Sequence, residues 1–377
     1  MKLIHLTAKK FQFKTADSLY VISLAEKFNI LLKQNYRIIV AGKTQEQLKD
    51  MAVTDLGLKK FRSARCNFWY PYIFYFFWLP FFIFFKKSIS ETVFFSSDPY
   101  LISYLIRLRN IFKFKYKICS DWHMLYENWR DKYIAKNSDF LITTSAKLKN
   151  LLIKKTKINP EKILVAYGGV NLDNYKNLDK NEARKILNLP TDKNVVGYIG
   201  FFKTMDMEKG IAIMIKSLSF LDKNFVMVFM GGRDVEISEY KKIAKENGVL
   251  ERCIFEGRKD FKEVVLYEQA SDVLVIPYPD KPHFRLYGFP MKVYEYMASQ
   301  RPIVYSKLEL AEEVLSDCGY GFIPDYSKDL AEKIKEAINA KDADEKVKIA
   351  YEKAKNYTWQ KKAENIVAFI KSNLILK

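Results

Sequence analysis

The sequence predicts an α/β protein of two doubly wound, Rossmann-like domains. Three observations predict it. The chain has 377 residues, enough for two domains that each bury a core. Short β-like runs alternate with helical ones through both halves, the pattern of a parallel sheet covered by helices. Between the halves, residues 176–193 are polar and carry one proline, as a linker does.

Residues 3–7 read as the first strand, a short alternating run followed by Lys9 and Lys10 rather than a signal peptide. Residues 18–34 have helical periodicity with Asp17 or Ser18 as cap, and 37–41 return to a strand. A strand at 92–95, a helix over 99–109, strands at 116–120 and 140–144, a helix over 146–154 and a strand at 163–166 follow. These fill an N-terminal domain, residues 1–178. The linker holds a short helical piece at 181–187, and the second domain, residues 194–357, repeats the alternation. Residues 342–376 read as helical.

The four cysteines, Cys66, Cys119, Cys253 and Cys318, are far apart and show no Cys-x-x-Cys pair or metal spacing. They read as reduced thiols of a cytoplasmic protein, with no zinc site and no disulfide framework. Charge is unevenly spread. Residues 1–180 hold 31 Lys/Arg against 14 Asp/Glu, a balance of +17, whereas the remaining 32 against 30 leave +2 for residues 181–377. Such asymmetry points to an anionic partner, a membrane surface or nucleic acid. No helix-turn-helix, RNP-like or zinc-finger pattern accompanies the basic residues, so nucleic acid is the weaker partner.

The run from Phe68 to Phe85 has 13 aromatic residues among 18 and no charge. Arg62 and Arg65 precede it and Lys86 and Lys87 follow. It nearly reaches the length of a bilayer span, but Pro71 and Pro80 are each expected to break a helix, and aromatic rings favour the interface. Three readings stay open: a segment dipping into an anionic membrane surface, a buried helix pair lining a cleft or an oligomer contact, and a true span.

In the second half, the stretch from Gly288 to Ala298, Gly-Phe-Pro-Met-Lys-Val-Tyr-Glu-Tyr-Met-Ala, has the form of an anion-binding helix start. Gly288 permits close approach of backbone to a ligand, and Pro290 suits the first helical position. The free N–H groups near Met291, the helix dipole and the Lys292 charge favour a diphosphate. Glu295, about one turn on, is placed to accept two hydrogen bonds from a ribose diol. The 3.6-residue period buries Val293, Tyr294, Met297 and Ala298 and sets Lys292, Glu295 and Ser299 on the other side. The alternative is an ordinary amphipathic helix with a surface Lys–Glu pair.

Pro290, Lys292, Glu295, Tyr296, Met297, Ala298, Pro302 and Val304 resemble the donor-site helix of family-4 retaining glycosyltransferases of GT-B fold, in the branch with Pro-x-Lys-x-x-Glu-Tyr-Met-Ala. Further matching pieces stand upstream in the family's order: Gly197-Tyr-Ile-Gly200, Glu208-Lys209-Gly210, Met230-Gly-Gly232, Phe255-Glu-Gly257 and the run from Ser271 to Pro277. The resemblance implies that Gly200 opens a diphosphate loop and that Lys209 contacts the diphosphate. The family's arginine in that loop is absent: Phe201 and Phe202 stand there, and Lys203 is the nearest substitute, a point charge instead of a planar fork. Gly231 and the Gly257–Arg258 turn are expected to frame the base, unless they are plain strand-to-helix turns. A second glutamate, eight residues before the ribose-binding one, is replaced by Tyr287, which leaves His283 or Arg285 as candidates to reach the sugar. On the acceptor side, His123 stands where members carry a histidine facing the reaction centre, with Asp121 and Trp122 as supports. The tail, about 358–377 with Trp359, resembles the final helix that packs back on the first domain.

The expectation is therefore a retaining glycosyltransferase at the cytoplasmic face of the membrane. It takes a nucleotide-diphosphate sugar as donor substrate, without a cofactor or metal, and a lipid-linked or polysaccharide acceptor in cell-surface glycan synthesis. The catalytic set is His123, Lys209, Lys292 and Glu295. A non-catalytic subunit and a nucleotide-sugar epimerase are the alternatives.

Overall fold

A computed structural model describes residues 1–8, 16–42, 51–58, 64–86, 88–175, 178–288 and 291–375. Lys9, Lys10, Arg62, Lys87 and Pro290 lie outside the described residues. The chain forms two compact units, Met1–Tyr167 with Trp359–Lys377, and Gly168–Thr358. The division falls at Tyr167 and Gly168, not within 176–193, because the start of the polar stretch is tied to the second unit. There the Tyr175 hydroxyl donates to Glu268 at 2.8 Å, and the buried Arg184 donates to the Ala270 carbonyl and pairs with Asp272.

The first unit is a seven-stranded sheet of β1 (Lys2–Thr7), β2 (Tyr36–Val40), β3 (Val53–Asp55), β4 (Thr92–Ser96), β5 (Lys117–Trp122), β6 (Phe140–Thr143) and β7 (Ile163–Val165). Its order is β3-β2-β1-β4-β5-β6-β7 and every pairing is parallel. The strand cores are buried on both faces, which is why they read as continuous apolar runs. β3, at the edge, with Val53 and Thr54 half-buried and Asp55 exposed, has no such run and left no strand signal. The helix Trp359–Ile375 belongs to this unit and sets its Trp359 ring 5.3 Å from that of Tyr20.

The aromatic run departs from expectation. Ala64–Phe84 is one helix that passes through both Pro71 and Pro80. At Pro80 the missing N–H would have bonded the Phe76 carbonyl, and the Tyr104 hydroxyl donates to that oxygen instead, at 2.6 Å. Pro71, Tyr75, Leu79 and Ile83 bury one stripe against the sheet, and the Tyr75 hydroxyl donates to the carbonyls of Thr7 and Ile39. Among the described residues no helix is long and apolar enough to cross a membrane.

The second unit holds β8 (Asn194–Ile199), β11 (Phe225–Gly232), β12 (Cys253–Gly257), β13 (Val273–Ile276), β14 (Ile303–Ser306) and β15 (Tyr320–Phe322). They pair in parallel in the order β12-β11-β8-β13-β14-β15. A two-stranded antiparallel hairpin, β9 (Lys203–Thr204) with β10 (Met207–Glu208), stands in the loop after β8. The fold class is the predicted one, two doubly wound parallel α/β sheets.

Candidate active site

In the second unit the strand order turns at β8, whose neighbours β11 and β13 are reached by crossovers in opposite directions. At such a point the loops beyond the strand ends diverge and leave a crevice. The helix Lys292–Ala298, just before β14, is pinned to the end of β8. Its Tyr296 hydroxyl accepts from the Ile199 amide at 2.9 Å and donates to the Ile199 carbonyl. That register sets the Lys292 ammonium 3.6 Å from the centre of the Tyr198 ring, beside Gly200. A side chain at Gly200, where φ is +137°, would bring its Cβ within 2.9 Å of the Lys292 nitrogen. Glycine here makes room for the lysine. The loop carrying Lys209 closes on β13, because Gly210 packs against the Pro277 carbonyl with φ at +89°.

The helix is not amphipathic as predicted. Lys292 is 7% exposed and Ser299 2%, so both lie inside with the apolar stripe, and Glu295 alone stays half-buried. The Lys292 ammonium has no hydrogen-bond partner among the described residues. The Tyr198 ring beneath it offsets only part of the cost of burying an ammonium, which is several kcal/mol. Burial, and then the Lys209 charge, hold the Lys292 ammonium well below its usual range. Burial lowers Lys209 to about 8. Burial pushes the Glu295 carboxyl up to about 7 against the pull of Lys292. Glu268, fully buried, is raised well above the carboxylate range by burial and by Glu295. Two lysines thus share one largely buried cluster with two carboxyls, an arrangement suited to a diphosphate on one side and a polar diol on the other.

Sequence reasoning missed Glu268, Tyr175 and the Tyr198 ring. Glu268 sits within a helix as any surface glutamate does, and only the fold turns it inward. Other expected residues separate. Arg258 is exposed and its guanidinium stacks on the Phe201 ring, 4.3 Å to the centre, which brings a fork-shaped cation to the loop that lacks one. Lys203 is ion-paired with Glu239 at 2.8 Å, so the hairpin holds it away from a free role. Gly231 needs no ligand to explain it: a Cβ there would meet the Gly200 carbonyl at 2.6 Å. Arg285 pairs with Asp280, whereas His283 packs against Gly288 and lies close enough to Lys209 to be lowered by it, after burial. Met291 caps the helix without a side-chain bond. Since that helix is only seven residues long, the positive potential comes chiefly from Lys209 and Lys292 and not from its dipole.

In the first unit, β5 ends at Trp122, and His123 follows with its side chain 35% exposed. Its Nε2 lies 3.2 Å from Asp121 Oδ2, which also accepts from the Tyr20 hydroxyl at 2.8 Å. The Trp122 indole donates to Ser120, so Trp122 is a buried support. Asp121 stays ionised in spite of burial, which opposes it, because His123 and Lys362 offset that cost. The Lys362 ammonium, also buried and lowered to about 8, donates to the carbonyls of Ala166 and Tyr167. Among the described residues no group of three or more His, Cys, Asp and Glu could hold a metal ion.

Comparison with known proteins agrees with the fold. Residues 179–357 match the family model described as Glycosyl transferases group 1. A D-inositol 3-phosphate glycosyltransferase of Corynebacterium diphtheriae is 20% identical over 250 residues, covering 63% of this chain and 56% of that protein. The putative teichuronic acid biosynthesis glycosyltransferase TuaH of Bacillus subtilis is 24% identical over 195 residues, covering 50% and 46%. The chain thus spans about half the length of these relatives. Anabaena Alr3699/HepE, solved in complex with UDP, superposes with a TM-score of 0.77 at 16% identity, over 99% of this chain and 100% of that one. Residues 179–357 are therefore similar to the group 1 glycosyl transferases, and the chain as a whole has the GT-B fold.

Proposed function

We propose that the protein is a retaining glycosyltransferase that moves a sugar from a nucleoside-diphosphate sugar to a lipid-linked or polysaccharide acceptor at the cytoplasmic face of a membrane. One observation carries this reading: the buried Lys292 ammonium beside Gly200, without a hydrogen-bond partner among the described residues, with Lys209 near it and Glu295 left to one side. The diphosphate takes both lysine charges, and Glu295 accepts the ribose hydroxyls. Binding then restores the ammonium forms that burial had suppressed. Arg258, stacked on Phe201, supplies the planar guanidinium missing from the loop after Gly200.

The chemistry follows from this charge pattern. The bond from the anomeric carbon to the diphosphate oxygen breaks as Lys209 and Lys292 neutralise the leaving charge. The acceptor hydroxyl attacks the same face, its new C–O bond forms, and its proton passes to the departing phosphate oxygen. No paired acid and base of glycosidase type is needed. His123, donating Nε2–H to Asp121, presents Nδ1 as an acceptor for a substrate hydroxyl on its own unit. The excess of basic residues in the first 180 positions suits an acceptor on an anionic surface.

The test is a thermal-shift panel of UDP, GDP and ADP and their sugars, followed by the anomeric configuration of the product by NMR. UDP leads the panel because the Anabaena protein was solved with it. One nucleotide at 100 times its Kd is expected to stabilise the protein by about 2.7 kcal/mol. The donor's anomeric configuration should be kept and EDTA should not change the rate. No response to any nucleotide, or an inverted product, contradicts the reading. Arg258→Ala is expected to weaken donor binding about tenfold, the loss of one charge-assisted contact, measured by calorimetry.

A further inference from the structure

The helix Ala64–Phe84 leaves a broad aromatic face uncovered. Opposite its buried stripe, Trp69, Ile73, Phe77, Phe81 and Phe84 recur at helical spacing, and the last three are 66%, 67% and 69% exposed. A solvent-facing patch of this size marks an interaction site. The patch continues onto a second element. The helix Pro99–Phe112 ends with Ile111 and Phe112 exposed, and Phe114, just beyond, sets its ring 5.6 Å from Phe112 and 5.9 Å from Phe84.

Charge decides what covers it. Neither residues 64–86 nor residues 99–118 contain an acidic side chain, while Lys113 and Lys115 stand exposed next to Phe112 and Phe114. Lys86 follows the helix, with its ammonium 5.4 Å from the Phe82 ring centre, and the charges of Arg37 and Lys2 reach it. A second copy of the chain would bring these like-charged rims together. An anionic bilayer instead neutralises them while its interface takes the rings. The helix, about 30 Å long with its inner stripe committed to the sheet, would have to lie along the surface instead of crossing it.

We propose that the outward face of Ala64–Phe84, together with the corner from Ile111 to Lys115, docks in the plane of an anionic lipid bilayer. This rests on the membrane-side acceptor proposed above and names the surface that reaches it.

The test is sedimentation of the full chain with phosphatidylglycerol or phosphatidylcholine vesicles at low and high salt, with size-exclusion chromatography alongside. The protein is expected to bind phosphatidylglycerol selectively and to be released by salt. Phe77→Ser/Phe81→Ser/Phe84→Ser should lose at least about tenfold in partitioning. Lys113→Glu/Lys115→Glu, both on the surface and thus mild for folding, should lose about as much on phosphatidylglycerol alone. Both variants should keep the nucleotide thermal shift, which separates a failure here from a failure of the donor site. Equal binding to both lipids, no binding, unchanged binding by the lysine variant, or a dimer that the serine variant dissolves would each overturn the proposal.

Discussion

Lys292→Met is expected to lower kcat by about 100- to 1000-fold while raising the melting temperature of the nucleotide-free protein. The two effects have one cause. Methionine matches the lysine stem in length and fills the space over Tyr198, but removes an ammonium that has no hydrogen-bond partner among the described residues. Losing a preorganised positive donor at a leaving diphosphate costs about 3 kcal/mol of transition-state stabilisation. Removing an amine whose burial the Tyr198 ring offsets only in part relieves the free protein. Steady-state kinetics and a melting curve on the same preparation check both signs. A variant that loses stability along with activity would mean that Lys292 is a structural lysine, satisfied in a way that this geometry does not contain.

The second large effect is at Glu295. Glu295→Gln is expected to weaken donor binding about 10- to 100-fold, since two charge-assisted hydrogen bonds to a diol become weaker neutral ones. It should also change the pH dependence of stability. The folded protein holds the Glu295 proton up to about 7, whereas an unfolded glutamate releases it near its ordinary value of 4.5. Between those values the folded state binds more protons, so this group's contribution to stability falls as pH rises through the window. The glutamine variant lacks that loss. Its melting temperature should match the parent at pH 4.5 and exceed it at pH 8. For donor affinity, the acid limb set by Glu295 should vanish in the variant. The alkaline limb, on which Lys209 near 8 loses its charge, should stay. Coincident melting profiles across the range would show that the carboxyl is solvated and is not a ribose ligand.

Much of the fold was legible because both sheets are parallel and covered on both faces. Each strand core then appears as an apolar run such as Val93–Phe95 or Val273–Ile276, and helical periodicity marks the crossovers. The edge strand Val53–Asp55 escaped, since an edge needs no apolar run. The helix breaks expected at Pro71 and Pro80 did not occur. The Phe76 carbonyl freed by Pro80 finds the Tyr104 hydroxyl 28 residues later, a tertiary contact that no local rule contains. At the candidate site, Lys209, Lys292 and Glu295 stood in readable motifs, and the fold brings them to one cluster. The rest depended on three dimensions. Glu268 comes inward from a neighbouring helix, Arg258 reaches the loop by stacking on Phe201, and Lys203 is held by Glu239. Gly231 illustrates the reverse: a glycine that looked like a ligand-side residue is explained by the Gly200 backbone.

The most direct test is a crystal structure with a bound nucleoside diphosphate, UDP first. A phosphate oxygen should lie within about 3 Å of the Lys292 nitrogen, and the ribose hydroxyls should lie on the Glu295 carboxylate. If the ammonium remains over the Tyr198 ring with the nucleotide bound elsewhere, Lys292 is not the diphosphate's partner and the account fails.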